Sequence, residues 1–477
     1  MIHLDKEKNK KNNSAGKNKK NTKTESRKIV LDVLMEYYTG KYKLNELIKN
    51  ALDKADYFER QDKAFISRLI KGCVEKQNAL DYIIGKYVHT KGNKIKPVIK
   101  VILRMGIYQI LFMEGVKDYA ACSEAVNLAK DRGLSGLASF VNGVLRNIAR
   151  DKDAGNINWP DKINSRLKYL SIYYSVPEWL ITYFDDLYGE DITVKILDYY
   201  ENTSNLMVRV NEKLPEVIRK ECYIRLKDMG VEIEQHPYYQ YAYILKNTDN
   251  IGLLPGFDEG VYTVQDVSSQ LCIFLAGIKD GDTVVDICSA PGGKTMHAAL
   301  LAGEKGIVYA RDISETKLDK VRENASRQKI NNIDFKVFDG RSLDESLIEK
   351  CDVVICDAPC SGLGIIGRKA DIKYNITRDE ITELANLQKE ILNNAVKYLK
   401  KGGTLIFSTC TLTKEENVDN RDYIINELNL KPCSFDKMLT GELLSDVDLS
   451  HAKNGFLQFV PGVHKCDGFF ISKYIKE

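Results

Sequence analysis

Two cysteines carry the most chemical information in this chain: Cys360, in Asp357-Ala358-Pro359-Cys360, and Cys410, in Ser408-Thr409-Cys410-Thr411. Each follows a short apolar run, and a glycine-rich loop, Cys288-Ser289-Ala290-Pro291-Gly292-Gly293-Lys294, lies upstream of both. A thiolate beside a methyl-donor site suits one demanding reaction, methylation of the C5 carbon of a pyrimidine. That carbon becomes nucleophilic only after a thiolate adds to the neighbouring C6 position. A lone cysteine after a strand is more often a small buried hydrophobe, and Cys272, Cys351 and Cys356 are read that way. For Cys360 and Cys410 the shared setting, two neighbouring strand ends below a cofactor-type loop, favours reactivity. Spacing alone leaves open which thiol attacks.

The loop from Cys288 to Lys294 follows an apolar run and opens a helix, so its backbone N–H groups can approach a ligand closely. A phosphate-binding P-loop requires a glycine five residues before Gly293, and Cys288 stands there. Asp312 closes the next apolar run, nineteen residues after Gly293. An acid at that place can accept hydrogen bonds from ribose hydroxyls. Asp339, past the third run, can accept from an adenine amino group. The cofactor therefore carries a nucleoside: S-adenosylmethionine fits, and NAD stays open as an alternative disfavoured by the missing G-x-G-x-x-G pattern. Asp357 is placed to contact N3 of a base flipped between the two thiols.

These residues need a scaffold of alternating strands and helices. From Asp266 onward, Thr283–Cys288, Gly306–Asp312, Ile333–Phe338, Val353–Asp357 and Thr404–Ser408 are short apolar runs separated by helix-length segments. That pattern predicts a doubly wound, mainly parallel sheet, with ligands beyond its carboxyl strand ends. Residues 25–150 show helical spacing throughout, as in Ile29-Val30, Val33-Leu34 and Tyr37. A polar stretch, 151–164, reads as a linker. Residues 165–260 mix signals: strands at Leu206–Val210, Val231–Ile233 and Tyr241–Leu245, and a helix over Pro215–Met229 closed by Gly230. The expectation is multidomain: an all-α N-terminal domain, a small α+β module, and an α/β Rossmann-like catalytic domain over 261–477.

At 477 residues, 44% hydrophobic and 29% charged, the chain can fill two or three ordinary globular domains. The most apolar candidate for a membrane span, Val98–Met113, is broken by Lys100 and Arg104, so no membrane association is expected. Without a signal-peptide pattern, the expected location is cytoplasmic. No C-x-x-C pair occurs among eleven cysteines, and the six histidines are scattered, so no metal is expected. Net charge is +3, yet residues 1–28 hold ten Lys/Arg against three Asp/Glu. Residues 1–24 thus read as a disordered basic tail able to lean on nucleic-acid phosphates, or simply a solubilising one.

With these motifs assembled, the chain resembles the bacterial RNA cytosine-5 methyltransferases of the RsmB (Sun) family. The resemblance rests on Cys288–Lys294, Asp312, Phe338-Asp339-Gly340-Arg341, Asp357–Gly362, Gly402-Gly403-Thr404, Ser408–Thr411, Glu415-Glu416-Asn417 and Asp467–Phe470. Residues 25–150, especially Phe140–Arg146, are similar to the NusB RNA-binding fold. The resemblance implies S-adenosylmethionine held by Cys288–Lys294, Asp312, Asp339 and Asp357. It further implies Cys410 as nucleophile, Cys360 in product release, and as substrate one cytosine of 16S rRNA, free or in an early assembly form. No DNA partner is implied, and nothing demands more than a monomer. DNA cytosine-5 methyltransferases, whose Pro-Cys thiol attacks, are the nearest rival; Cys410 and the NusB-like region argue against them. A non-catalytic RNA-binding factor would need neither thiol nor the loop. One departure stands out: Arg368-Lys369-Ala370-Asp371-Ile372-Lys373-Tyr374 lacks the His-Pro that relatives carry there, and its basic residues read equally well as phosphate contacts or solvated charges.

Overall fold

The computed structural model describes residues 24–55, 57–88, 94–202, 206–248, 250–439 and 445–477. The basic tail, up to residue 23, lies outside them. The chain forms two compact units, one ending at Asp186 and the other spanning Leu187–Glu477. This boundary falls within the 165–260 stretch, whose strands all belong to the second unit.

The first unit is helical among its described residues: α1 (24–37), α2 (Leu44–Lys54), α3 (Arg60–Glu75), α4 (Gln77–Tyr87), α5 (Pro97–Phe112), α6 (Asp118–Asp131), α7 (Ala138–Asp153), α8 (Arg166–Tyr173) and α9 (Glu178–Tyr188). The apolar run at Val98–Met113 becomes α5, with proline in its first turn and a nearly continuous buried surface. It packs against α3, α4, α6 and α7, which explains a helix that is apolar all round. Gly72 and Gly106 let neighbours close in: a Cβ on Gly72 would strike the Tyr108 ring and one on Gly106 the Leu145 side chain. The buried Arg104 is tolerated because Nε and Nη2 each donate to Asp81 at 2.7 Å. No described helix is long and apolar enough to cross a membrane.

The second unit begins with α10 (Glu190–Asn202) and a small sheet. Its strands are β1 (Leu206–Val210), β2 (Glu232–Gln235), β3 (Ala242–Lys246) and β4 (Tyr262–Val264), antiparallel in the order β2-β3-β1-β4, with α11 (Glu216–Asp228) between β1 and β2. Gly230, at φ 82°, ends α11 as expected. After α12 (Val267–Ala276) come β5 (Thr283–Asp286), α13 (Gly293–Ala302), β6 (Ile307–Asp312), α14 (Glu315–Arg327), β7 (Ile333–Val337) and β8 (Cys351–Asp357). The short α15 (Ile372–Asn375) and long α16 (Arg378–Tyr398) precede β9 (Leu399–Thr409) and α17 (Val418–Asn426). The chain closes with β10 (Lys431–Pro432), α18 (Asp446–Lys453), β11 (Phe456–Phe459) and β12 (Phe469–Ile475).

All five expected parallel strands are present, in the spatial order β9-β8-β5-β6-β7. Alternate residues supply the two cores. Val284, Val308, Val353 and Ile406 face the α12–α13 side, while Val285, Val354, Cys356, Leu405 and Phe407 face the α16 side. Cys272, Cys351 and Cys356 are fully buried among them. The antiparallel strands β10, β11 and β12 extend the sheet past β9, an addition not anticipated from the sequence. From β5 the chain proceeds outward through β6 and β7, then returns to build β8 and β9 on the other flank. The strand order therefore reverses between β5 and β8, the place where open α/β sheets leave a crevice for ligands.

Candidate active site

The loop after β5 occupies that crevice. Ser289 N donates to Arg311 O at 2.8 Å, which ties the loop to β6, and Gly293 opens α13. Gly292 must be glycine: its φ is 105°, and an added Cβ would stand 2.9 Å from Val321 Cγ1. A cavity of about 190 Å³ is walled by Cys288–Lys294, Asp286, Asp357, Gln265, Asp266 and Ser269. Two buried polar atoms of its lining residues lack hydrogen-bond partners, Ser289 Oγ and Asp286 Oδ1. With the N-terminus of α13 beside them, these groups suit an amino-acid portion bearing both ammonium and carboxylate. The residues present therefore fit S-adenosylmethionine.

Not every expected cofactor residue lines this cavity. Asp312 lies beside the loop, accepting from Ala290 N at 3.3 Å and from Ser314 N at 3.1 Å at the start of α14. Asp339 is paired with Arg341, whose Nη2 donates at 2.6 Å; that pairing holds its carboxyl below the usual range. Neither side chain forms part of the cavity wall. Asp286 was not foreseen. Burial, reinforced by the charge of Asp357 and opposed by a 2.7 Å hydrogen bond from Thr295 Oγ1, pushes its carboxyl up to about 7.

Asp357 and the two motif cysteines meet at the ends of β8 and β9, where Asp357 and Ser408 lie in parallel register. Ser408 Oγ donates to Asp357 Oδ1 at 2.7 Å, and Lys294 Nζ donates to Asp357 Oδ2 at 2.8 Å. Cys360 Sγ and Cys410 Sγ stand 3.3 Å apart, both half-buried. The contact with Cys360 lowers the Cys410 thiol; burial and the charge of Asp357 oppose the shift, and the charges of Lys294 and Lys369 assist it. The same contact, followed by burial, raises Cys360 well above the ordinary thiol value. The contact lets one thiolate form within the pair, held by the proton on the other sulfur.

A buried carboxylate holds the two thiol loops together. Glu416 Oε1 accepts from Ser361 N at 2.9 Å and Gln388 Nε2 at 3.0 Å. Its Oε2 accepts from Ser361 Oγ at 2.5 Å and Thr413 Oγ1 at 2.7 Å. Ser361 follows Cys360, and its hydroxyl also meets Thr411 Oγ1, next to Cys410, at 2.6 Å. Gly364 N donates to Cys410 O, and Gly468 N to Gly364 O. A Cβ on Gly364 would come within 2.1 Å of Gly468 O, so no larger residue fits. The basic loop after Gly367 is partly structural: Arg368 Nε donates to the buried Asp467 at 2.8 Å, and Lys373 is buried.

A parallel sheet with a cofactor crevice at its switch point, and paired strand-end groups beside it, defines a Rossmann-like S-adenosylmethionine-dependent methyltransferase. Residues 273–475 match the family described as 16S rRNA methyltransferase RsmB/F, and residues 24–150 match the NusB family. The chain is 34% identical to the probable ribosomal RNA small subunit methyltransferase B of Bacillus subtilis (strain 168), over 95% of this chain and 99% of that one. It is 31% identical to ribosomal RNA small subunit methyltransferase B of Proteus mirabilis (strain HI4320), over 87% and 94% respectively. The crystal structure of PH0851 superposes with a TM-score of 0.77 at 25% identity, covering 95% of this chain and 98% of that one. The chain belongs to the ribosomal RNA small subunit methyltransferase B family and is an S-adenosylmethionine-dependent rRNA methyltransferase.

Two outcomes follow from this geometry. Because the folded-state pKa of Asp286 is raised, its contribution to stability is complete at acid pH and is lost as pH rises through about 7. The melting temperature of the ligand-free chain should fall across this range, and Asp286→Asn should flatten the slope; an unchanged slope would refute the assignment. Glu416→Ala leaves the buried Ser361 and Gln388 donors unpaired, at a cost of ~1–3 kcal/mol. Methyl transfer should drop by ~10-fold or more, while titration calorimetry shows S-adenosylhomocysteine binding retained and Glu416→Gln is milder. Equal loss of cofactor binding would contradict this role.

Proposed function

We propose that the chain methylates C5 of one cytosine in 16S rRNA through a covalent adduct between Cys410 and C6 of the base. The observation that carries this reading is the 3.3 Å contact between the two thiols, with the Lys294–Asp357 ion pair alongside. The bound cofactor supplies an electrophilic methyl group. Cys410, as thiolate, adds to C6 and pushes the electron pair of the C5–C6 double bond into the ring. Asp357, drawing a proton from the Lys294 ammonium paired with it, donates that proton to N3 and so neutralises the charge that develops there. C5 then bonds the methyl carbon, whose bond to the donor sulfur breaks with its electron pair to leave a neutral thioether. A base takes the C5 proton, the C5–C6 double bond re-forms, and the C6–S bond breaks to return the Cys410 thiolate. Cys360 assists this release, for which its hydrogen bond to Cys410 fits it.

In the same reading the loop Cys288–Lys294, with Asp312, Asp339 and Asp357, contacts the cofactor. Residues 25–150 bind RNA as a NusB-like domain, the small sheet module assists, and 261–477 catalyse. A monomer acts in the cytoplasm on free or early-assembly rRNA. Tritium transfer from methyl-labelled S-adenosylmethionine to unmodified 16S rRNA tests this proposal. Wild type should label cytosine C5, Cys410→Ala should be inactive, and Cys360→Ala should stall after a single turnover. Activity surviving in Cys410→Ala would move the nucleophile elsewhere.

A further inference from the structure

The small sheet has two faces of different use. On β1, Met207 joins the core against α12, and Arg209 Nε donates at 2.9 Å to Gln265, a wall of the cofactor cavity. The intervening Val208 and Val210 face the other way, towards α11. There the packing of α11 is incomplete: Leu226 and Cys222 close on Val208, Leu245 and Tyr262, yet a cavity of about 370 Å³ remains on the open flank. That volume lies in the range of small-ligand sites.

Its walls are aliphatic and aromatic, with Arg219, Lys220 and Glu216 among them. Tyr223, Tyr241, Tyr243 and Tyr262 contribute rings, and the Arg219 guanidinium sits 5.8 Å from the Tyr241 ring centroid. Arg219 Nε and Tyr262 Oη are both buried without a hydrogen-bond partner. Buried polar atoms of this kind carry a cost unless a ligand pairs them. A purely apolar occupant would leave both unpaired. A planar ring edged by carbonyl and ring-nitrogen acceptors would satisfy them while stacking on tyrosine and arginine.

We infer that this cavity receives an unpaired nucleobase of the RNA substrate, outside the target nucleotide. The inference rests on the chain's action on rRNA and not on the covalent mechanism. Single-stranded RNA is read in this manner, with splayed bases stacked on aromatic rings or guanidinium planes and hydrogen-bonded at their edges. The cavity lies behind the strand whose opposite face reaches the cofactor wall. A base captured there would anchor the substrate on the far side of that sheet and fix the approach of the target cytosine.

Ultraviolet cross-linking of the full chain to unmodified 16S rRNA, followed by peptide mapping, tests the site without any variant. Cross-links should fall on Tyr241 or Tyr243. In filter binding without cofactor, Tyr241→Ala and Arg219→Ala should weaken RNA affinity about 10-fold, the order expected for one lost base stack. Tyr241→Phe should retain affinity, and KM for RNA should rise in the alanine variants with kcat unchanged. Absent cross-links here together with unchanged affinities would overturn the inference and leave the cavity as imperfect packing. Cross-linking at these tyrosines in a protein that fails to label cytosine C5 would sink the proposed reaction while sustaining this site.

Discussion

Parallel pairing of β8 with β9 is the constraint on which the site depends. With Asp357 set opposite Ser408, two segments more than forty residues apart reach the same sheet edge in fixed register. A slip of one residue would turn every side chain on the strand to the wrong face. The loops leaving those strands can then carry Cys360 and Cys410 to within 3.3 Å of each other. Buried cores on both faces hold the register, because Cys356 and Phe407 pack on the α16 side while Ile355 and Ile406 pack on the other.

Electrostatics builds on that frame. Lys294 comes from the cavity loop, so one side chain joins that loop to Asp357 at the end of β8. Burial alone disfavours the lysine's charge, but the adjacent Asp357 carboxylate overcomes this and keeps it protonated. A fixed cation there pulls the Cys410 thiol down against the opposing charge of Asp357, and Cys360 lies 3.3 Å from the same sulfur. Glu416 meanwhile satisfies four donors from the segments around both thiols, which orders the loops without placing a reactive group among them.

The inner parallel strands were legible because a strand buried on both faces reads as a short apolar run, whereas β7, at the sheet edge, alternates as Ile333-Asp334-Phe335-Lys336-Val337. β12 was missed as a strand although Asp467–Phe470 stood out as a motif; its antiparallel pairing with β9 involves partners some sixty residues away. The cofactor loop was recognisable from the glycines and their distance from Asp312. Roles set by distant partners were not. Lys294 finds Asp357 across 63 positions, and Glu416, visible in its motif, revealed no task until Ser361, Gln388 and Thr413 surrounded it. Arg368, read as a phosphate contact or a solvated charge, is tied to Asp467 by tertiary packing. Asp339 has a local partner in Arg341, two residues on, that its motif did not announce.

The central claim is that Cys410, in contact with Cys360 at 3.3 Å, forms the bond to the base. The most direct measurement is peptide mapping of the covalent complex trapped on 16S rRNA carrying 5-azacytosine in place of cytosine. The account predicts the nucleotide remnant on the peptide containing Cys410 and an unmodified Cys360. A remnant on Cys360, or a trapped complex of full yield in Cys410→Ala, would contradict it.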